Sequence, residues 1–430
     1  SAGDPRFDDF FISLPPDADT SSVLRTRDLP LLHEYETCRG TERLWTTFSR
    51  DQLDLNYGNP RVLLEVLDVL LFYVARGASV LRLDAIPYLW KRLGTSCAHL
   101  PETHEVIKLI RDVLDAAGPH ALLLTETNVP HRENVSYFGN RGDEAQMIYN
   151  FSLPPLLLWS LLRGDASRLS EWAAGLEHFG PRATYLNITA THDGIGMRPS
   201  EDLLGESERA EMVRLARERG GHVTGRRNPD GSVSPYELNI NYFDALNDAR
   251  ADEPVDLQVA RFMTSQAVPL ALAGIPGIYV HSLLGSRGDR EAVGRTGRAR
   301  SVNRARLDVG EVRAALRDES SLRARVFRAC RRLVSVRREA PAFHPDAPQE
   351  ILDLRPRVFA LRRTAAGGQI VAALYNVSAE PQSLDLRGTL EREHHIDLVT
   401  GGVLRRGELG RVPLAPYQFR WLTPARETGR

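Results

Sequence analysis

Three acidic residues, Asp84, Glu126 and Asp193, each come at or just after the end of a segment rich in Leu, Ile and Val. Each segment has the length and composition of a buried strand. Because an ionised carboxylate is costly to bury, acids that follow such strands indicate a pocket open to solvent. Paired carboxylates in a pocket support nucleophilic and acid–base catalysis, with glycosidic bonds as the natural target.

The chain has 430 residues and a net charge of −1 at pH 7, so it offers no uniform field to attract a polyanion. No segment approaches the ~20 apolar residues of a membrane span, and the first residues lack the features of a signal peptide. We therefore expect no nucleic-acid partner and no membrane partner. Cys38, Cys97 and Cys330 are far apart, which indicates neither a disulfide framework nor a zinc site and favours a reducing cytoplasm.

Hydrophobic periodicity predicts that helices and strands alternate through the middle of the chain. The predicted helices are 59–75, 102–117, 153–162 and 259–271, and the predicted buried strands are 78–83, 121–125, 146–151, 184–190 and 277–281. Such alternation is typical of a mainly parallel sheet. Carboxylates at successive strand ends are what an eight-stranded β/α barrel presents at its active-site rim.

Composition divides the chain into three predicted regions. Residues 1–58 are expected to form an irregular, β-containing B-type lobe that is inserted in the barrel. Residues 59–345 are expected to form the catalytic part of an α/β fold, a (β/α)8 TIM barrel with a polar insert at 198–245. Residues 346–430, with short alternating apolar runs, predict a small C-terminal antiparallel β domain.

A retaining glycosidase uses one carboxylate as nucleophile and a second, about 5 Å away, as acid/base. Asp84 and Glu126 suit these two roles. Arg82 is two residues before Asp84 and on the same predicted strand face, where it would keep that carboxylate ionised. Asp193 and His192 would hydrogen-bond sugar hydroxyls as charge develops.

Each of these residues also has an ordinary structural explanation. Arg82 and Asp84 would form a simple ion pair, Glu126 would cap a helix, and His192-Asp193 would belong to a turn. We favour the catalytic interpretation because the three acids occur in order, each after a predicted buried strand.

The same residues lie in segments that resemble the α-amylase superfamily, glycoside hydrolase family 13. Arg82-Leu-Asp84-Ala, Glu126 and His192-Asp193 resemble its second, third and fourth signature regions. Further phrases resemble the sucrose phosphorylase subfamily, and the resemblance covers nearly the whole chain. These phrases are Gly94-Thr-Ser-Cys97, Asn150-Phe-Ser-Leu-Pro-Pro155, Thr191-His-Asp-Gly-Ile-Gly196, Tyr236-Glu-Leu-Asn239, and Gly297-Arg298 with Asn303-Arg304.

The resemblance implies that Asp84 is the nucleophile, Glu126 the acid/base and Asp193 the transition-state stabiliser. The residues that it places against the glucosyl unit or the nucleophile are Arg82, His192 and Arg298. It also implies a retaining α-glucoside phosphorylase, which passes glucose from a disaccharide to phosphate through a covalent glucosyl-enzyme and releases α-glucose 1-phosphate. The implied partners are a small sugar and inorganic phosphate, and no metal or organic cofactor is implied.

Arg27 and Tyr88 resemble the positions that contact phosphate in this subfamily. Taken alone, Arg27 has the ordinary explanation of a surface arginine, and Tyr88 has that of a core aromatic residue. Asn128 stands where sucrose phosphorylases have His, and Glu237 stands where they have Gln. The Thr-Glu-Thr-Asn form is more similar to the relatives that act on sucrose 6-phosphate, glucosylglycerate or glucosylglycerol. Glu237 favours a neutral acceptor unless an arginine offsets its charge.

The family's first signature region, and the early-strand residues that hold glucose, have no counterpart in this chain. We therefore expect the N-terminal barrel strands to be missing, and a polypeptide that starts at Ser1 to be unstable or inactive. Two alternatives stay open, namely an α-glucoside hydrolase or transglucosylase of the same family, and an incomplete, noncatalytic carbohydrate-binding homologue. The sequence does not predict the oligomeric state.

Overall fold

The structure is a computed structural model that describes residues 4–7, 9–27, 29–140, 142–228, 230–390 and 392–425. The chain forms two compact units. Unit 1 comprises residues 1–149 and 224–237, and unit 2 comprises residues 150–223 and 238–430. Within the described ranges, no helix combines the length and the apolar character needed to traverse a lipid bilayer.

Unit 1 contains a β-hairpin followed by alternating helices and strands. Its elements are β1 (Leu32–Thr37), β2 (Gly40–Trp45), α1 (Pro60–Ala75), β3 (Val80–Leu83), α2 (Pro101–Ala117), β4 (Leu122–Thr125), α3 (His131–Val135) and β5 (Met147–Tyr149). The strands β3, β4 and β5 are parallel, with Leu83 opposite Thr125 and Thr125 opposite Ile148. The carboxyl ends of these strands therefore meet at one edge of the sheet.

Local sequence signals set the ends of the two long helices in unit 1. The Asn59 side chain caps α1, since it accepts a hydrogen bond from Arg61 N at 3.0 Å, and Pro60 takes the first helical position. Helix α2 also has a proline, Pro101, at its first position but no side-chain cap, and it ends before Gly118. Both predicted helices are confirmed, as are the predicted strands that follow each of them.

The hairpin β1–β2 packs on a small apolar core within unit 1. Trp45 is buried there with Val23, Leu31 and Cys97. Its indole Nε1 donates a hydrogen bond to Thr47 Oγ1 at 3.0 Å, so the polar edge of the buried ring is satisfied. This part of unit 1 is therefore an ordered lobe with its own core.

Unit 2 begins with α4 (Leu153–Arg163), α5 (Ser167–Ala174), β6 (Thr184–Asn187), β7 (Ile195–Gly196) and α6 (Glu206–Glu218). The chain enters unit 1 and returns through the neighbouring strands β8 (His222–Arg227) and β9 (Val233–Asn239). The helices that follow are α7 (Tyr242–Leu246), α8 (Val255–Ala271), α9 (Val280–Leu283), α10 (Arg290–Thr296), α11 (Val309–Arg317) and α12 (Leu322–Glu339). The remaining strands are β10 (Ile275–Pro276), β11 (Gln349–Ile351), β12 (Val358–Thr364), β13 (Ile370–Asn376), β14 (Gln382–Leu384), β15 (His394–Asp397), β16 (Val403–Arg405), β17 (Val412–Leu414) and β18 (Phe419–Pro424).

Unit 2 combines a parallel strand pair with an antiparallel sheet. β6 and β10 are parallel, with Leu186 opposite Ile275. The antiparallel sheet has the strand order β11-β12-β13-β18-β15-β16. Fully buried Phe262, Val326 and Trp421 belong to the large apolar core of this unit. The sheet confirms the antiparallel β part of the predicted fold class.

The prediction of a strand over 277–281 is wrong. The strand ends at Pro276, and Val280–Leu283 is a helical turn. A short apolar run with β-branched residues has the same composition in a buried strand and in a buried helical turn, so periodicity does not distinguish them.

Arg363 is fully buried in β12 and donates hydrogen bonds to three backbone carbonyls, those of Ala271 at 2.6 Å, His344 at 2.6 Å and Ala347 at 2.9 Å. Arg363→Met leaves these acceptors unpaired inside the protein, so we expect it to lower the free energy of unfolding by about 3 kcal/mol. The control Arg362→Met removes only a surface ion pair and is expected to cost less than about 1 kcal/mol. Thermal melts of both variants check this, and equal melting temperatures would contradict it.

Candidate active site

Asp84 and Glu126 stand directly after the neighbouring parallel strands β3 and β4. Glu126 N donates a hydrogen bond to Leu83 O at 2.9 Å, so the backbones are still paired where the two acids begin. Glu126 Oε2 accepts a hydrogen bond at 3.1 Å from the backbone N–H of Ala85, the residue after Asp84. The fold of unit 1 therefore brings these two predicted residues to the same end of the sheet.

The backbone at Ala85 turns sharply between the two acids. Ala85 has φ 50° and ψ 34°, a left-handed conformation that is uncommon for a residue with a side chain. Such a conformation costs about 1 kcal/mol or more, and it persists only where the surroundings hold it. At this turn the Ala85 N–H donates a hydrogen bond to Glu126. The strained residue that follows Asp84 therefore also orients the Glu126 carboxyl.

Arg82 connects Asp84 to β5. Its Nη1 donates to Asp84 Oδ1 at 2.5 Å, and its Nε donates to Tyr149 OH at 3.2 Å. Burial acts to lower the pKa of Arg82, but the negative charge of Asp84, together with Tyr149 and Glu126, raises that pKa above its usual value. The Asp84 side chain is 66% exposed. Its carboxylate is thus beside a firmly held positive charge and remains open to a substrate.

Aromatic rings surround the guanidinium of Arg27. Arg27 Cζ lies 4.8 Å from the ring centroid of Tyr236 and 6.0 Å from that of Phe48, which packs edge-on against Tyr88 at 5.7 Å. Burial raises the pKa of Tyr236, with Tyr88 adding to the effect and Arg27 opposing it. Arg27 Nη1 is buried and has no hydrogen-bond partner among the residues that the structure describes. A buried cationic donor with spare capacity is suited to an anion.

Asn128 and Glu237 also belong to unit 1. Glu237 is 1% exposed and follows Tyr236 in β9. Burial is the largest cause of the raised pKa of Tyr236, and the negative charges of Glu126 and Glu237 both contribute to it. Asn128 Oδ1 is buried without a hydrogen-bond partner in the described part of the chain. A buried amide oxygen of this kind calls for a donor such as a hydroxyl group.

In unit 2, two arginines from the segment after α10 hold Asp193. Arg300 Nη1 and Arg304 Nη2 each lie 2.8 Å from Asp193 Oδ1. Arg304 Nε also donates to His192 O at 2.9 Å, and Asn303 Nδ2 donates to Asp193 O at 2.8 Å. The Asp193 side chain is 20% exposed, so its negative charge is balanced by close positive partners in a mostly buried position.

His192 and Arg298, the other two residues predicted in unit 2, are both exposed. His192 Nε2 lies 3.7 Å from Asp193 Oδ1, so these two are brought together. Arg298 lies at the start of the segment whose later residues, Arg300 and Arg304, contact the Asp193 carboxylate.

The residues that contact predicted site residues but are absent from the predicted set include Tyr149, Tyr236, Arg300 and Arg304. Tyr236 and Arg304 lie inside phrases that carry the family resemblance, so the sequence did contain a signal for them. Tyr149 ends β5, the next parallel strand, where the same strand-end argument would have identified it. Arg300 has no comparable sequence signal.

Comparison with known proteins gives matches over nearly the whole chain. Residues 6–160 match the α-amylase family, described as "Alpha amylase, catalytic domain". The glucosylglycerate phosphorylase of Spirochaeta thermophila is 46% identical over 99% of this chain and 74% of its own length. The glucosylglycerate phosphorylase of Escherichia coli is 41% identical over 97% of this chain and 73% of its own length.

Solved structures give the same fold. The crystal structure of sucrose 6F-phosphate phosphorylase from Thermoanaerobacter thermosaccharolyticum matches with a TM-score of 0.74 and 21% identity, over 95% of this chain and 77% of that one. The α-amylase from H. orenii matches with a TM-score of 0.63 and 16% identity, over 97% and 74% of the two chains. These matches confirm the predicted fold class, an α/β fold of the (β/α)8 barrel type.

Proposed function

The chain belongs to the α-amylase superfamily, glycoside hydrolase family 13, within its sucrose phosphorylase subfamily, and from this premise we propose that it is a glucosylglycerate phosphorylase. The reaction passes the glucosyl unit of the α-glucoside to inorganic phosphate, gives α-glucose 1-phosphate and frees glycerate. The observation that carries the proposal is an identity of 41–46% to two proteins of that name, over 97–99% of this chain.

The first step forms a covalent glucosyl-enzyme. A carboxylate oxygen of Asp84 bonds to the anomeric carbon, the bond from that carbon to the glycerate oxygen breaks, and Glu126 gives its proton to the departing oxygen. Arg82 Nη1 donates a hydrogen bond to Asp84 Oδ1 and so places a positive charge beside the attacking carboxylate. The Ala85 N–H donates a hydrogen bond to Glu126 Oε2, which supports the placement of the Glu126 carboxyl beside the backbone that follows Asp84.

The second step reverses the roles with phosphate in place of glycerate. A phosphate oxygen attacks the anomeric carbon, the bond to Asp84 breaks, and Glu126 recovers a proton from the phosphate. Two inversions at one carbon give net retention. Arg27 and Tyr88 are the proposed phosphate contacts, and the buried Nη1 of Arg27, which lacks a partner within the described residues, is the observation that supports Arg27.

The leaving group of this proposal is an anion, so we give up the neutral-acceptor interpretation of Glu237. Glu237 would repel the carboxylate of glycerate, and Arg27, whose guanidinium lies 4.8 Å from the ring of the adjacent Tyr236, is the proposed positive charge that offsets it. The buried Oδ1 of Asn128 is the proposed acceptor for a glycerate hydroxyl, because that oxygen has no partner in the described ranges.

Asp193 is the proposed transition-state stabiliser, and His192 and Arg298 are the proposed glucosyl contacts. Arg300 and Arg304 each lie 2.8 Å from Asp193 Oδ1 and hold this carboxylate in place. An ionised carboxylate binds sugar hydroxyls more strongly as positive charge develops on the ring. The proposed chemistry uses neither a metal nor an organic cofactor.

The proposed location is the cytoplasm, and the proposed small-molecule partners are the α-glucoside and phosphate. The three cysteines, of which Cys38 is exposed, are free thiols. Free thiols persist in a reducing compartment.

A substrate screen tests the proposed function. The protein is incubated with phosphate and, in parallel, with α-glucosylglycerate, α-glucosylglycerol, sucrose or sucrose 6-phosphate. We expect α-glucose 1-phosphate, with a kcat/KM for glucosylglycerate at least about tenfold above that for the others. Glucose without glucose 1-phosphate at saturating phosphate would indicate a hydrolase, and a clear preference for another donor would overturn the acceptor assignment.

Arg27→Gln removes the proposed phosphate cation while keeping a polar side chain. We expect the KM for phosphate to rise about 10-fold to 100-fold, since a hydrogen bond to a charged group contributes about 1.5–3 kcal/mol. The control Arg39→Gln changes an exposed arginine of the β1–β2 turn, which pairs with Glu42, and should leave that KM unchanged. Initial rates at varied phosphate check this, and an unchanged KM in Arg27→Gln would remove Arg27 from the phosphate site.

A further inference from the structure

Lys91 belongs to the segment 85–99 that follows β3, and its buried side chain contacts the hairpin lobe of unit 1. It is one of two lysines among 55 basic residues, and its side chain is only 7% exposed. Lys91 Nζ lies 2.8 Å from Asp54 Oδ2 and donates a hydrogen bond to the backbone carbonyl of Tyr88. The ammonium also lies 5.7 Å from the ring centroid of Trp45.

The carboxylate that faces Lys91 is itself rigidly held. Asp54 Oδ1 accepts a hydrogen bond from Thr47 N at 2.7 Å, and Asp54 Oδ2 accepts one from Thr47 Oγ1 at 2.6 Å. Thr47 Oγ1 in turn accepts a hydrogen bond from Trp45 Nε1 at 3.0 Å. Lys91 is therefore bonded to a fixed point of the lobe, because Asp54 cannot turn away without leaving these donors unpaired.

The segment 85–99, to which Lys91 belongs, has an unusual backbone. Ala85, Cys97 and His99 all have positive φ, of 50°, 50° and 55°. Non-glycine residues adopt such angles only where surrounding contacts hold them. Within the segment, His99 N donates to Pro87 O at 2.9 Å. A strained segment of this kind needs external contacts to keep Tyr88 in one place.

We propose that Lys91 is a positioning residue for the phosphate site. Its ammonium fixes the backbone of Tyr88 to the lobe that carries Phe48 and Arg27, so that the two proposed phosphate contacts keep one relative geometry. The inference rests on the proposed function, because it assumes that Arg27 and Tyr88 bind phosphate.

The choice of lysine fits this task. The Nζ ammonium is a compact charge with three donors, and it contacts Asp54, the carbonyl of Tyr88 and the Trp45 ring at once. Arginine has a planar fork that suits parallel bonds to one partner and needs more space. Nearly all basic residues of this chain are arginine. Lysine thus occurs at position 91, where a compact cation fits these contacts better than a guanidinium.

Three variants test the proposal against one matched control. Lys91→Arg keeps the charge and changes its shape, Lys91→Met removes the charge, and Asp54→Asn weakens the anchor. The control is Lys108→Met, which changes the other lysine, paired with Glu105 at 2.8 Å on the surface of α2. Each variant is assayed for the KM of phosphate, for α-glucosyl fluoride hydrolysis without phosphate, and for its melting temperature.

We expect all folded Lys91 and Asp54 variants to raise the KM for phosphate by about tenfold or more, because displaced contact groups lose binding steeply. Hydrolysis of α-glucosyl fluoride per folded enzyme should stay within about twofold, since it needs Asp84 and not the phosphate site. Lys108→Met should change neither quantity. An unchanged KM for phosphate with a lower melting temperature would overturn the proposal and leave Lys91 a stabilising residue only.

If Lys91→Met does not fold, the proposal is still tested, because the KM for phosphate is also measured for Lys91→Arg and Asp54→Asn. The wild-type assay separates this inference from the proposed function. A wild-type protein that releases glucose and no glucose 1-phosphate contradicts the function, whereas a phosphorylase whose Lys91 variants bind phosphate normally contradicts only the role of Lys91.

Discussion

Replacing Asp84 with Asn is expected to lower kcat for phosphorolysis on the order of 10⁴-fold or more, since loss of a catalytic nucleophile has effects of this size. The amide cannot form the covalent bond to the anomeric carbon, and it also loses the charge that pairs with Arg82. The measurement is the initial rate of α-glucose 1-phosphate formation from the best donor of the screen. A melting temperature close to that of the wild type shows that the loss is chemical.

A labelling experiment tests directly whether Asp84 is the nucleophile. A slow 2-fluoro glucosyl donor should add one sugar to the wild-type protein, and peptide mass spectrometry should find that sugar on Asp84. Asp68→Asn, at an exposed position of α1, is the matched control and should retain full activity and labelling. Label on a different carboxylate, or turnover by Asp84→Asn near the wild-type rate, would remove Asp84 from this role.

Glu126→Gln is expected to show a loss that depends on the leaving group. With a glycerate or fructose leaving group we expect kcat/KM to fall about 10²-fold to 10⁴-fold, because the departing oxygen receives no proton. With α-glucosyl fluoride the loss should be much smaller, since fluoride departs without protonation. Glutamine can still accept the hydrogen bond from Ala85 N–H, so the variant should keep the local fold.

The ratio of the two rates is the decisive quantity for Glu126. It is measured with both donors at the same phosphate concentration, for the wild type and for Glu126→Gln. Equal losses with the oxygen and the fluoride leaving groups would show that Glu126 does not act as the acid, and would favour the structural explanation of a helix cap or loop contact.

The parts of the fold that were predicted correctly are those with strong local signals. Helix α1 has a capping Asn59 and a proline at its first position, and α2 ends at Gly118, so each has clear ends. The run 277–281 has no such signals and was assigned to the wrong element. The predicted α-glucoside phosphorylase is confirmed by the relatives.

The contact between Glu126 and the backbone after Asp84 follows from strand order, because consecutive parallel strands place their ends side by side. The arginines that hold Asp193 were harder to predict. Arg300 and Arg304 lie more than 100 residues further along the chain, and a single sequence carries no record of such a pairing.

The left-handed turn at Ala85 has a practical consequence for protein engineering. Because the peptide N–H that follows Asp84 also holds Glu126, mutagenesis libraries aimed at the segment beyond β3 will disturb both proposed catalytic groups at once. Libraries directed at the β8–β9 hairpin, which carries Tyr236 and Glu237, leave that hydrogen bond alone. Redesign toward new acceptors should therefore start from the hairpin.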